Sequence, residues 1–214
     1  MEAGKCNEPP LTLLYDEMGF PVRLTSKQAR RFKIRLFASA NQWESRFPSA
    51  DSALSAPRVE LENLVLSHGM APTLRSQLWL KILSGLPGSS ASADNYSSLV
   101  DRANALPLEV RRQVDVDLPR TFADQRDFRA ALVAAETSQA AGGDMPVLWT
   151  SGVSIHHQLR RVLGAYCVAH PSTGYLQSMN FIAGICLLLY NGDEQATFNV
   201  FQRLTLDLLR GYVI

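Results

Sequence analysis

From Ser26 onward apolar residues recur at steps of three or four: Ala29, Phe32, Leu36, Ala40, Trp43 and Phe47. That spacing places them on one face of a helix. Lys27, Arg30, Arg31, Lys33 and Arg35 fall on the other face and read as a solvated surface. A second helix is expected from about Arg58 to Ser67, with Gly69 suited to its C-terminal cap. A third opens at Pro72, a residue suited to a first helical turn. It sets Leu74, Leu78, Trp79, Ile82 and Leu83 on one stripe and stops near Gly85-Leu86-Pro87. Shorter stripes follow at Tyr96, Leu99, Val100 and Ala103, then at Leu108, Val110 and Val114, ending near Asp117. Ser154 is a good N-cap for a helix burying Ile155, Leu159, Val162, Leu163 and Tyr166. After a turn at Pro171–Gly174 comes a stripe of Met179, Ile182, Ala183, Cys186, Leu187 and Tyr190, and then one of Phe198, Phe201, Leu204 and Leu208.

No segment alternates apolar and polar positions with β-branched enrichment, so strands are not expected and the fold class is all-α, an irregular multi-helix domain. Residues 1–25 read as an extended lead-in with a turn at Gly19-Phe20-Pro21. Residues 48–57 read as a low-complexity spacer, which divides an extension, 1–57, from a main domain, 58–214. Residues 137–153, rich in Gly, Ser, Ala and Thr, read as a loop.

Composition narrows the function classes. Hydrophobic residues are 46% and charged residues 19%, enough apolar side chain for a real core. A formal net charge of +1 gives no electrostatic reason to expect nucleic acid or an acidic membrane as partner. Cys6, Cys167 and Cys186 are sparse and odd in number, which argues for a reducing compartment rather than a disulfide framework. The N-terminus has no signal-peptide pattern and no Gly at position 2. The longest apolar run, Phe181 to Tyr190, is half of a bilayer span. A cytoplasmic chain without an integral membrane segment is expected. Cys167 and His170 have a metal-like spacing but no companions, and a zinc site needs four ligands, so no metal is expected. His156 and His157 are adjacent and face different sides of their helix, which argues against a joint role.

Two short segments carry candidate chemistry. In Val114-Asp115-Val116-Asp117-Leu118-Pro119-Arg120-Thr121 a helix ends at a proline, and Arg120 emerges from the turn on a fixed stem. Asp117 is placed to hold either the guanidinium or the turn backbone; a surface ion pair with a stabilised turn is the plainer reading. In Tyr175-Leu176-Gln177-Ser178-Met179-Asn180, Gln177 is expected in the first turn of an apolar helix, where backbone amides favour phosphate. The plainer reading there is an N-capping cluster in which Ser178 and Asn180 satisfy orphan amides.

Taken together the two segments resemble the TBC-domain family of Rab GTPase-activating proteins. That family's signatures are Ile-x-x-Asp-x-x-Arg-Thr and Tyr-Cys-Gln-Gly-Met-Asn. They stand here as Val114-x-x-Asp117-x-x-Arg120-Thr121 and Tyr175-Leu176-Gln177-Ser178-Met179-Asn180. A third feature, Arg-x-x-x-Trp after a Gly-containing turn, stands as Arg75-Ser76-Gln77-Leu78-Trp79. The resemblance covers roughly residues 58–214, the N-terminal, catalytic half of the domain. It implies that Arg120 is an arginine finger and Gln177 a glutamine finger, both inserted into the nucleotide site of a Rab-type GTPase. The chain would then be an activator rather than an enzyme in its own right, with GTP and Mg2+ held by the partner and no cofactor of its own. Asp117 and Thr121 would support the arginine loop, Tyr175 and Asn180 the glutamine loop. Arg75 reads as a structural ion-pair partner. A peripheral place on endomembranes, through the partner and in vesicle trafficking, is also implied.

The chain departs from the pattern at Val114, Leu176 and Ser178. Val114 keeps the shape and apolarity of Ile. If the family Gly at position 178 permits a close backbone approach to the GTPase, Ser178 hinders docking; if the position is an ordinary first helical turn, Ser178 is harmless. The family domain also continues for several helices past the glutamine motif, whereas this sequence stops at Ile214. A truncated domain that binds a GTPase without accelerating hydrolysis is therefore the alternative function.

Overall fold

Most of the structure, a computed structural model describing residues 11–84, 94–140 and 153–209, is helical. By its contacts the chain forms two compact units, Met1–Arg75 and Ser76–Ile214.

In the first unit the expected lead-in is instead a β-hairpin. Strands β1 (Leu11–Tyr15) and β2 (Pro21–Thr25) pair antiparallel, Leu13 opposite Arg23. Asp16 builds the turn: its Oδ1 accepts from the amides of Met18 and Phe20, each at 2.9 Å. Strands of five residues with both faces partly wet lack the alternation that reveals a sheet in sequence. Thr25 then caps α1 (Ser26–Arg46) through a capping box with Gln28, which makes Ser26 the first helical residue. Trp43 and Phe47 of the expected stripe are buried, and Trp43 Nε1 donates to the Gly69 carbonyl at 2.8 Å. Lys27, Arg30 and Arg31 are exposed, as a solvated face requires. The side chains of 32–39, including Phe32, Lys33, Arg35 and Leu36, lie outside the described residues.

Residues 48–57 are not a featureless spacer. Ser49 caps a short helix, α2 (Ala50–Leu54), which buries Ala50 and Ala53. Helix α3 (Arg58–His68) ends at Gly69 in a positive-φ conformation. Helix α4 (Pro72–Ser84) starts at Pro72 as expected, and the division between the two units falls within it.

The second unit is built around α8 (Ile155–Ala169). Its neighbours are α5 (Tyr96–Ala103), α6 (Leu108–Asp117), α7 (Arg126–Ala140), α9 (Met179–Leu189) and α10 (Glu194–Arg203). Ser154 caps α8, and Leu159, Val162, Leu163 and Tyr166 are buried on it. Each such side chain contributes about 1.5–3 kcal/mol by leaving water. They meet Leu99, Val114, Leu118, Phe128, Leu187 and Phe198 in one core. A smaller cluster joins Leu83, Cys186 and Val200, with Trp79 and Tyr190 against it. Between α8 and α10, Arg161 forms a two-pronged pair with Glu194 at 2.9 and 2.6 Å, and the Tyr96 hydroxyl donates to the same carboxylate at 2.8 Å.

Several sequence expectations are corrected here. Helix α7 occupies residues through Ala140, so the first part of the expected 137–153 loop is helical; residues 141–152 lie outside the described residues, as does Gly85-Leu86-Pro87. Ile82, Leu108 and Leu208 are exposed rather than buried. The last stripe changes winding after Arg203, where Leu204–Leu208 forms a π-helical turn and the Thr205 hydroxyl donates to the Phe201 carbonyl at 2.9 Å. The wider turn rotates Leu208 away from the face that an α-helical period assigns to it.

Candidate functional site

Both motifs sit at element ends that converge in the second unit. Helix α6 stops at Asp117, and Leu118–Arg120 tightens into one 3-10 turn with Pro119 at its centre. Leu118 is buried and anchors the turn, while Arg120, its last residue, is exposed. Gln177 is also exposed. It lies outside α9, in the turn just before the helix, because the helix begins only at Met179. The first-turn placement expected for Gln177 is therefore corrected: the side chain projects from a loop and not from a helical end.

Beneath the two exposed side chains is a buried polar network. Tyr175 OH donates to Asp117 Oδ2 at 2.7 Å and lies 3.3 Å from Asn180 Oδ1. Asn180 Nδ2 donates to Thr121 Oγ1 at 2.8 Å, and Thr121 Oγ1 donates to the Asp117 carbonyl at 2.9 Å. Thr121, Asn180 and Tyr175 are 0%, 1% and 8% exposed. The circuit thus runs Asp117–Tyr175–Asn180–Thr121 and back to Asp117. Each buried polar atom in it has a partner, which is what makes such a cluster a rigid support instead of a cost. Burial first, then the hydrogen bond to Asp117 and its charge, push the Tyr175 hydroxyl above its usual range, so it stays a donor.

This geometry overturns the capping interpretation of the second motif. Asn180 spends its side chain on the arginine loop, and Ser178 makes no side-chain capping bond. Ser178 instead adopts a left-handed conformation, φ 79° and ψ −9°. Only glycine enters that region without a Cβ penalty. The ordinary first-helical-turn placement considered for position 178 is therefore not the one found. Leu176 is partly exposed beside it, and the Leu176 amide points at Met179 Sδ, 3.4 Å away.

A groove of about 510 Å³ runs alongside, lined by Arg112, Gln113, Val116, Asp117, Tyr175 and Gln177 among others. Arg75 lies in the other unit. Its Nη2 pairs with Glu17 Oε1 at 3.0 Å and donates to the Met70 carbonyl at 3.1 Å, a structural ion pair that pins the turn before α4.

Two residues outside the motif readings also shape the arginine loop. Phe122 follows Thr121 with φ 46°. Its ring meets Phe128 and Phe181 edge-on, with centroids 5.8 and 5.2 Å away. Gly184 on α9 lies directly against it: a Cβ there would come within 3.1 Å of the Phe122 ring and 3.2 Å of Thr121 Cγ2. Neither contact leaves a periodic signal in sequence. Elsewhere, Cys167 and Cys186 are buried thiols, each pushed up to about 12 by burial. His170 lies beside Gln202 Oε1 at 3.4 Å, not in a ligand cluster with Cys167. Among the described residues no group of three or more metal-ligating side chains converges, and no helix is long and apolar enough to cross a membrane.

The comparisons with known proteins agree with the motif pair. Residues 148–214 match the family model of the Rab-GTPase-TBC domain. The chain is 30% identical over 155 residues to the growth hormone-regulated TBC protein 6 of Caenorhabditis elegans, covering 72% of this chain and 35% of the relative. It is 29% identical over 175 residues to the GTPase-activating protein GYP3 of Saccharomyces cerevisiae, covering 78% of this chain and 24% of that one. The chain thus spans 35% or less of the length of these curated relatives. In fold it resembles the Chlamydomonas flagellar RabGAP TBC domain, with a TM-score of 0.63 and 23% identity over 91% of this chain and 59% of that structure. The family match over residues 148–214 and the TBC proteins among its relatives place this chain in the TBC-domain family.

Proposed function

We propose that this chain speeds GTP hydrolysis by a Rab-type small GTPase, with Arg120 and Gln177 acting in trans on the bound nucleotide. The observation that carries the reading is the buried Asp117–Tyr175–Asn180–Thr121 circuit, which ties the stem of an exposed arginine to the stem of an exposed glutamine. A structural salt bridge or helix cap has no use for that arrangement. A bipartite site does, because both side chains must be held in register with one phosphate.

In this reading Arg120 neutralises charge on the oxygens of the departing γ-phosphoryl group. Guanidinium suits the task because it is permanently charged and bonds two oxygens at once. Gln177 orients the attacking water; an amide accepts from water and donates to phosphate, and a carboxylate cannot do both. GTP and Mg2+ stay on the GTPase. The chain contributes side chains and no cofactor, as an activator on the cytoplasmic side that meets membranes only through its partner.

Single-turnover GTP hydrolysis across a Rab panel tests the reading. The chain should accelerate at least one member by about 10³- to 10⁵-fold, and Arg120→Ala should abolish the effect. Binding without acceleration would select a non-catalytic GTPase-binding module instead.

A further inference from the structure

We propose that Phe122 is a positioning residue for Arg120, clamping the arginine turn against α9 in a seat that exists because residue 184 is glycine. The role in catalysis rests on the function proposed above; the clamp itself rests on geometry alone.

Two turns meet at Phe122. The Thr121 amide closes the first on the Leu118 carbonyl at 3.1 Å, and the Gln125 amide closes the second on the Phe122 carbonyl at 2.8 Å. Between them Phe122 takes φ 46°. A left-handed phenylalanine costs about 1–3 kcal/mol and persists only where surrounding contacts over-determine it. Those contacts are visible. The Phe122 ring is held edge-on by Phe128 of α7 at 5.8 Å and Phe181 of α9 at 5.2 Å. From below it rests on Gly184, where a Cβ would stand 3.1 Å from the ring. The same missing methyl admits Thr121 Cγ2.

The consequence for Arg120 is direct. Thr121 and Phe122 are the next two residues, so the hydroxyl circuit and the aromatic clamp together hold one side of the 3-10 turn. The circuit holds Thr121 from the polar side. The ring adds anchors on two helices, because Phe128 belongs to α7 and Phe181 to α9. A displacement of about 1 Å at a catalytic group can cost 10²-fold in rate, so a clamp of this kind affects kcat more than binding.

The test uses the full chain with its GTPase. Phe122→Gly relieves the backbone conformation but removes the ring; Gly184→Ala keeps the ring but narrows its seat. Phe122→Gly should lower kcat for accelerated hydrolysis by about 10- to 100-fold at unchanged KM for the GTPase, with a smaller loss for Gly184→Ala. Full activity of Phe122→Gly, or a loss that appears as a raised KM at unchanged kcat, overturns the proposal. If the unaltered chain accelerates no GTPase, the function fails separately. The clamp is then decided by amide NMR: Gly184→Ala, distant in sequence, should shift the Arg120 and Thr121 resonances while those of α8 stay in place, and unmoved loop resonances overturn it.

Discussion

The Tyr175 hydroxyl reaches across 58 residues of sequence to donate a 2.7 Å hydrogen bond to the Asp117 carboxylate. That bond joins Asp117, the last residue of α6, to Tyr175, the first residue of the second motif. It also accounts for a tyrosine and an aspartate that touch no nucleotide in the proposed reaction: they fix the distance between two loops.

Removing that hydroxyl alone is informative. Tyr175→Phe leaves the ring in its pocket and the Asp117 carboxylate without this donor, at a cost of about 1–3 kcal/mol. The melting temperature should fall, and acceleration of GTP hydrolysis should fall with it even well below melting. Full acceleration in Tyr175→Phe would mean that the loops do not depend on the link.

Ser178 makes the opposite prediction. It occupies φ 79° without a compensating side-chain capping bond. Ser178→Gly should stabilise the chain by about 0.5–1 kcal/mol, after allowing for the greater freedom of glycine in the unfolded chain. Thermal melting checks the sign; a lower melting temperature would show that the serine side chain has a stabilising role not seen in its hydrogen bonds.

The helix scaffold should be sensitive at Glu194. The Arg161–Glu194 pair has side chains only 14% and 18% exposed, and Tyr96 shares the carboxylate. Glu194→Ala leaves a sheltered guanidinium without this carboxylate and should destabilise by roughly 3 kcal/mol. Chemical denaturation measures this, and a change below about 1 kcal/mol would class the pair with ordinary surface bridges.

Acid stability should depend on His156. Its ring packs on Phe128, its Nε2 is buried without a hydrogen-bond partner, and burial, reinforced by His157 and Arg160, lowers it to about 4 from 6.5. Between those two pH values the unfolded chain binds a proton that the folded chain refuses. Stability therefore rises with pH through that window and is lost as pH falls through it. His156→Gln should flatten the dependence of melting temperature on pH between about 6.5 and 4; an unchanged slope would remove His156 as its source.

How far the sequence anticipates this structure depends on the kind of signal. Helix α8 is legible because Ser154 caps it and Leu159, Val162, Leu163 and Tyr166 form an unbroken buried stripe. The α9 stripe is legible from its periodicity alone, with Met179, Ala183, Cys186 and Leu187 buried on it. Helix α7 is not, because Ala130, Ala131, Ala134 and Ala135 favour helix strongly but offer no contrast between faces. The hairpin is hidden by its short, two-sided strands. In the site, Arg120 after Pro119 announces an exposed stem, and the motif resemblance names its partners. The left-handed Ser178, the loop placement of Gln177 and the Phe122–Gly184 contact arise from packing between distant segments. No local pattern encodes them.

The central claim is that Arg120 and Gln177 meet around one transferring phosphoryl group. Complex formation with a Rab GTPase loaded with GDP and aluminium fluoride, which mimics that group in flight, tests it most directly. The account predicts a stable complex only when aluminium fluoride is present, weakened by Gln177→Ala and lost with Arg120→Ala. A complex of equal strength without aluminium fluoride, or one indifferent to both substitutions, would contradict it.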